Sequence, residues 1–168
     1  TVVLEDDVVW HDGESFDADD VVFTYRTIQH PDTRSYLNAS WQDITVQAKD
    51  DKTVTFSLPN PYTPFPHSLT TGGILPEHIL GELDPAQLRG NSFNVSNPIG
   101  TGPFEFEEIA TSQNPLSVLR LNAFESYFSG APRLDTFIIQ TYSEREQMVE
   151  AFLDGTLAAA AGLQTSDR

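Results

Sequence analysis

The chain contains four histidines, the residue type best suited to general acid–base catalysis or metal binding near neutral pH. They are His11, His30, His67 and His78. No two are four residues apart, the spacing by which one helix face presents two imidazoles to a metal, and the chain has no cysteine. No serine lies in a Gly-x-Ser-x-Gly nucleophile elbow. The sequence therefore predicts no catalytic residue, no metal site and no cofactor, and it favours binding over catalysis.

Five acidic residues lie close together near the start of the chain: Asp12, Glu14, Asp17, Asp19 and Asp20. Carboxylates are suitable ligands for calcium, but this cluster lacks the alternating Asp-x-Asp-x-Asp-Gly order and the distal glutamate of an EF-hand. The order instead favours a helix start, with Asp17 as N-cap and Asp20 at the third helical position.

The stretch from Asn97 to Phe104, Asn-Pro-Ile-Gly-Thr-Gly-Pro-Phe, divides the chain into two parts. Its prolines and glycines exclude a helix or a central strand, and Gly100 and Gly102 are able to adopt positive φ. A phosphate-binding loop is one interpretation. No Lys-Ser/Thr follows, however, and a strand rather than a helix comes next, which favours a tight crossover into the strand 104–109.

Composition excludes several partners. The 168 residues carry 25 acidic and 9 basic side chains, a formal net charge of -16, and 39% of the residues are hydrophobic. This indicates a folded acidic protein that binds neither nucleic acid nor an anionic membrane surface. Lys49 and Lys52 are the only lysines, which is typical of a protein from a salt-loving organism, and an ordinary acidic secreted domain is the alternative.

The ends and the apolar runs suggest part of a larger protein. The longest apolar run, residues 157–163, is too short to span a bilayer. The chain begins at Thr1 without a methionine or a signal peptide, so we expect that it was cut from a longer protein.

Local patterns predict mixed helices and strands. A helix begins after Asp17, carries a buried stripe of Val21, Tyr25 and Ile28, and ends at Pro31. Asp50-Asp51-Lys52 joins two alternating segments, 44–48 and 53–58, and the remaining predicted strands are 104–109, 116–121 and 136–141, with a polar loop at 110–115.

Three further helices are predicted. Two are short, one entered through Pro76 and one capped by Asp84-Pro85 and ending at Gly90. Ser143 and Glu146 form a capping box for the last helix, whose apolar face is Met148, Val149 and Phe152 and which stops at Gly155.

Several segments, in chain order, resemble the family 5 extracellular solute-binding proteins, the dipeptide-, oligopeptide- and nickel-binding receptors of ABC importers. They are Trp10-His11-Asp12-Gly13 with Phe16 to Thr24, Ile74 to Ile79, Asn97 to Phe104, and Asn122 to Asp135 with Phe128 where tryptophan is usual. The family's Gly-Glu-x-Asp after the last helix is replaced by Gly155-Thr156-Leu157-Ala158, so any role of those acids is not carried over.

The resemblance implies an α+β (mixed) fold: a first-lobe fragment of a two-lobed periplasmic-binding-protein type II-like fold. It implies that residues 12–96 form a small inserted α+β subdomain with a β-hairpin and helices. Residues 1–11 and 97–168 would then belong to the main sheet of lobe I. Because the second lobe is outside this chain, we expect an isolated piece to fold, to expose sheet edges that favour self-association, and to bind ligand poorly.

The same resemblance implies the substrate-binding component of an ABC importer. It would capture a peptide, a nickel complex or a sugar outside the membrane and deliver it to the permease subunits. In the full-length protein it would be lipid-anchored to the outer face of the membrane. Related receptors place an aromatic residue near the peptide after the first helix, which makes Tyr36 the candidate ligand-binding residue, whereas Trp41 is expected to pack within its own domain. The alternatives are the sensor domain of a regulator and an acid-pair hydrolase.

Overall fold

The computed structural model describes residues 1–111 and 117–163. Its strands are β1 (Val2–Val3), β2 (Thr45–Asp50), β3 (Thr53–Ser57), β4 (Phe104–Thr111), β5 (Ser117–Ala123) and β6 (Thr136–Gln140). Its α-helices are α1 (Ala18–Gln29), α2 (Asn38–Trp41), α3 (Phe65–Ser68), α4 (Glu77–Leu80) and α5 (Arg145–Leu153). Three 3₁₀ turns lie at Pro31–Thr33, Leu88–Gly90 and Ser92–Asn94. Within this part of the chain no helix is both long and apolar enough to cross a bilayer.

The first sheet has the strand order β1-β3-β2 and is antiparallel throughout. The hairpin of β2 and β3 confirms the predicted one, with Val46 opposite Phe56 and a bulge between Ala48 and Asp50. Val2 of β1 pairs with Val54 of β3. Residues 2–3 thus join the sheet of the segment 12–96, although we expected residues 1–11 to belong to the other sheet.

Helix α1 covers this sheet and begins as predicted. Asp17 accepts hydrogen bonds from the backbone N–H groups of Asp19 and Asp20, and the Asp20 side chain accepts one from the Asp17 N–H, which completes a capping box. Val21 and Tyr25 are buried and Ile28 is partly buried, so the predicted stripe is the face that meets the sheet.

The core of this first part is aromatic and tightly closed. Trp41 is 2% exposed and Val54 is fully buried. The rings of Tyr25 and Trp41 lie 4.2 Å apart, and Phe56 meets Tyr25 edge-on at 5.2 Å. Trp41 therefore packs within its own domain, as expected.

The second sheet has the order β4-β5-β6, also antiparallel, with a bulge between Phe106 and Glu108. It confirms the predicted strands, although β4 continues to Thr111, so that Ala110 lies in the strand and not in the predicted loop. Residues 112–116, which include the rest of that loop and the predicted start of β5, lie outside the described residues.

Two local predictions, for α5 and for the helix after Asp84-Pro85, differ from the structure, and two glycines do not use a conformational freedom that the sequence allows. Helix α5 begins at Arg145 with Glu144 as N-cap and no side-chain cap, so the capping box predicted at Ser143 is wrong because the helix starts one residue later. Gly100 and Gly102 do not adopt positive φ, whereas Gly155 does, at φ 84°, just beyond α5. The helix predicted after Asp84-Pro85 is a turn followed by one 3₁₀ turn.

Candidate functional site

The start of α1 is a hydrogen-bonding centre built on one buried carboxylate. Asp20 is 4% exposed. Its Oδ2 accepts from the Trp10 indole N–H at 3.0 Å and its Oδ1 accepts from the Glu77 backbone N–H at 2.8 Å. A buried carboxylate is stable only when donors satisfy it, so Asp20 joins the Trp10 segment and α4 to α1.

A second bond fixes the segment that leads into α4. The Thr24 hydroxyl, itself buried, donates to the Asp20 carbonyl oxygen at 2.7 Å and accepts from the Leu75 N–H at 2.8 Å. Pro76 is among the fully buried side chains and Leu80 is 3% exposed. The Ile74–Ile79 segment, one of those that resemble the family, therefore packs against α1 at Pro76.

A surface pair joins α4 to the turn that precedes α1. His78 Nε2 lies 2.9 Å from Asp12 Oδ2, and the Glu14 N–H donates to Asp12 Oδ1 at 3.2 Å. Partial burial opposes ionisation of Asp12, but the His78 and Glu14 hydrogen bonds outweigh it and lower the pKa of this carboxyl below its ordinary value. The pair is solvated, with 26% and 38% of the two side chains exposed, so it contributes little stability.

The glycine-containing stretch 97–103 is hydrogen-bonded to His11, which lies near the start of the chain. The backbone N–H of His11 donates to the Gly100 carbonyl oxygen at 2.9 Å, and the His11 ring bonds to Gly100 and Gly102. Because the stretch leads directly into β4, this contact connects the segment between β1 and α1 to the second sheet.

Tyr36, the predicted ligand-binding residue, lies on the surface after α1 and is 85% exposed. The next residue, Leu37, lines a small cavity of about 10 Å³, which has room for about one water molecule and which Tyr36 does not line. Burial raises the pKa of the Tyr25 phenol, which also lines this cavity, above its ordinary value. The contact of Tyr36 with a ligand stays a prediction.

The acidic cluster is a capped helix start. Asp17 and Asp20 bond to backbone N–H groups, and Asp12 pairs with His78. Among residues 1–111 and 117–163, no three histidine or acidic side chains are grouped closely enough to hold a metal ion. These three carboxylates therefore form contacts within the chain.

The sequence did not show the long-range contacts that His11, Asp20 and His78 make. Asp20 and Glu77 are 57 residues apart, and His11 and Gly102 are 91 apart. Only the polar identity of these residues within the family-like segments could have drawn attention to them.

The model of the bacterial extracellular solute-binding proteins, family 5 Middle, matches residues 1–168. The oligopeptide-binding protein AppA of Bacillus subtilis is 38% identical over 140 residues, which are 80% of this chain and 24% of AppA. The structure of AppA with a nonapeptide superposes with a TM-score of 0.81 at 34% identity, covering 89% of this chain and 29% of that one. NikZ of Campylobacter jejuni with Ni(L-His) gives 0.78 at 29% identity, covering 92% and 30%.

These structures are type II periplasmic binding proteins, so the mixed α+β fold predicted from the sequence is confirmed as part of that class. The chain belongs to the family 5 bacterial extracellular solute-binding proteins. It spans between a quarter and a third of the length of the relatives that it matches.

Proposed function

We propose that this chain is part of the substrate-binding component of an ABC importer that captures peptides outside the membrane. The observation that carries the proposal is the match of the whole chain to family 5, together with its 38% identity to an oligopeptide-binding protein. The likeness to NikZ, whose structure contains Ni(L-His), keeps a nickel complex as the second ligand class.

The test is calorimetric titration of the protein extended to the full length of its relatives. Di- to nonapeptide mixtures and Ni(L-His) are the ligands, and the 168-residue chain is titrated in parallel. We expect micromolar or tighter peptide binding by the long protein only, because a cleft that closes on its ligand needs both walls. Binding of Ni(L-His) but not peptide would select the second class, and no binding of either would reject both.

We also propose that the protein is not an enzyme. The family is one of solute-binding proteins, and Asp17 and Asp20 at the start of α1 act in the helix cap and in hydrogen bonds to backbone N–H groups. Peptide hydrolysis followed by mass spectrometry would overturn this. A sensor domain of a regulator, the other alternative, would be recognised by a DNA-binding segment in the complete reading frame.

Tyr36 is proposed as a ligand-contacting side chain. Its 85% exposure leaves the ring free to be covered by a ligand, and it lies in the loop that follows α1. In the longer protein, Tyr36→Ala should weaken peptide binding about tenfold, as removal of an aromatic anchor does. Tyr62→Ala is the matched control, because Tyr62 is also an exposed loop tyrosine (56%), and an equal loss in both variants would reject Tyr36.

The division of the chain and its location are proposals of the same kind. We propose that residues 12–96 form the inserted subdomain of lobe I, and the buried core around α1 supports this division. The pairing of β1 with β3 adds residues 2–3 to the sheet of that subdomain. The proposed membrane partners are the permease subunits of the importer. The complete protein is proposed to be attached to the membrane by a lipid anchor. The family name indicates an extracellular or periplasmic location.

Self-association of the isolated chain is proposed to occur through the second sheet. Phe106, Leu121 and Phe137 are directly paired across it, as are Ile109, Leu119 and Ile139, so these six side chains share one face. On this face Ile109, Phe137 and Ile139 are 43–48% exposed, and among the described residues β4 and β6 each have one edge without a partner strand. Such a surface favours pairing with another copy.

A further inference from the structure

His11 makes three hydrogen bonds to a single loop that lies about ninety residues away in sequence. Its backbone N–H donates to the Gly100 carbonyl oxygen at 2.9 Å. Its ring nitrogen Nδ1 lies 3.1 Å from the Gly100 backbone nitrogen, and Nε2 lies 3.0 Å from the Gly102 carbonyl oxygen. The ring also meets Phe124 edge-on at 4.9 Å.

The partners of the ring determine its protonation state. A backbone N–H only donates, so Nδ1 of His11 must accept from Gly100 and cannot carry a proton. A carbonyl oxygen only accepts, so Nε2 must carry the proton and donate it to Gly102. The arrangement therefore requires a neutral imidazole in the Nε2–H form, and an imidazolium would lose the bond from Gly100.

The loop has few other ties to the first part of the chain. A Cβ added at Gly100 would meet His11 Cε1 at 3.5 Å and the Gly102 backbone nitrogen at 3.9 Å. The Pro103 carbonyl oxygen accepts from the N–H of Phe124, the one buried hydrophobic residue beyond residue 80 in the described chain. His11, from the segment between β1 and α1, and Phe124, which follows β5, thus contact both the loop and each other.

We propose that His11 is a positioning residue: in its neutral Nε2–H form it holds the loop 100–102 and thereby sets the placement of the second sheet against the first. This goes beyond the proposed function, since it concerns no ligand. It also predicts that protonation of the ring loosens the loop while leaving the core around α1 in place.

The charged groups near the ring do not substitute for this bond. Asp12 adjoins His11 in sequence, but its carboxylate is bonded to His78 and the Glu14 N–H. Glu125 follows Phe124 and is exposed. The loop itself, residues 97–103, contains no ionisable side chain.

The test follows the His11 ring nitrogens and the Gly100 amide proton by ¹⁵N NMR and hydrogen exchange in the full chain. We expect the Nε2–H tautomer and, on acidification from about pH 8 to about pH 5, a fall in the Gly100 protection factor of about five- to tenfold, as expected for loss of one hydrogen bond. Val22, in the buried face of α1, should keep its protection.

Two substitutions separate the two ring contacts. In His11→Asn the side-chain oxygen stands near the position of Nδ1, so Gly100 should stay protected and its pH dependence should vanish. In His11→Gln the side-chain amide stands near Nε2, so the Gly102 contact is kept and Gly100 should be exposed to exchange at every pH. His78→Ala is the control, because it removes the nearby surface pair and leaves His11 unchanged.

The Val22 amide reports whether each variant folds, so a folding failure is not mistaken for release of the loop. An Nδ1–H tautomer at neutral pH would overturn the proposal. So would Gly100 protection that is insensitive to pH in the unmodified chain, or a pH dependence that persists in His11→Asn.

Discussion

Both sheets have three antiparallel strands, but they differ in how much of their apolar surface is buried. Among the described residues, ten of the eleven buried hydrophobic residues lie in the first part of the chain, between Val8 and Leu80, and Phe124 is the other. By contrast, Phe137, Ile138 and Ile139 of β6 are all 43–51% exposed. The second sheet is the more extensively paired of the two, but only the first has a core.

The difference lies in what covers each sheet. Helix α1 lays Val21 and Tyr25 on the first sheet, and α2 and α3 add Trp41 and Phe65 to the same cluster. Helix α5, the helix that follows the second sheet, has no fully buried residue. A three-stranded sheet gains its stability from burying one face, so the second sheet depends on a cover that the described residues do not supply.

The largest effect is expected from removing a core ring in the first part. Trp41→Ala should cost about 3–5 kcal/mol of unfolding free energy, because it leaves a large cavity in a closed core. The same truncation in the second sheet, Phe137→Ala, should cost less than about 1 kcal/mol because that ring is already 45% exposed. Urea unfolding followed by circular dichroism measures both, and equal losses would break the comparison.

The buried carboxylate gives the next largest effect. Asp20→Asn should destabilise the chain by about 2–3 kcal/mol, because an amide turns a donor toward one of the N–H groups that the carboxylate accepts. Asp19→Asn is the matched control, since Asp19 is exposed in the same helical turn, and it should change stability by less than about 1 kcal/mol. Similar losses in both variants would show that Asp20 acts only through the helix dipole.

Self-association tests the open sheet directly. Phe137→Glu places a charge on the apolar face and should weaken association at least about tenfold in analytical ultracentrifugation, because that charge would have to be buried. Ile138→Glu changes the neighbouring residue on the opposite face, beside Arg120. Loss in the first variant alone indicates face-to-face packing, equal loss indicates edge pairing, and no loss in either would exclude β6 from the contact.

Salt should stabilise the chain. Counterions screen the self-repulsion of a formal charge of -16, so molar potassium chloride should raise the melting temperature. A rise of about 5 °C corresponds to roughly 1–2 kcal/mol for a chain of this size. Phe137→Glu should show the same rise if screening is the cause, and no rise in the unmodified chain would refute the idea.

The smallest effect concerns acid. The pKa of Asp12 is lowered in the folded state, so its contribution is present above the pKa of the unfolded chain and is lost as pH falls through the folded value. Because the pair is solvent-screened, we expect about 0.5 kcal/mol. Asp12→Asn should reduce stability at pH 7 by that amount and converge with the unmodified chain in strong acid, and parallel stability curves would contradict this.

Local sequence patterns were sufficient where neighbours in sequence decide the structure. The stripe of Val21 and Tyr25, the Asp17 cap and the turn at 51–52 depend on contacts within a few residues, and all are present. The pattern was insufficient at Ser143, because a one-residue change in where α5 begins moves the serine out of the cap. It was also insufficient at Gly100 and Gly102, where tolerance of positive φ does not mean that the fold uses it.

The sequence by itself determined the family, the mixed fold and the positions of the strands and of α1, because these follow from periodicity and from segments that lie in order along the chain. Only the tertiary structure decided that Asp20 accepts hydrogen bonds from two distant segments and that His11 holds the glycine loop. It also decided that one sheet has a buried face while the apolar face of the other is exposed. The physical reason is that such contacts join residues up to 91 positions apart. Their pairing depends on how the elements pack in space, which no local pattern specifies.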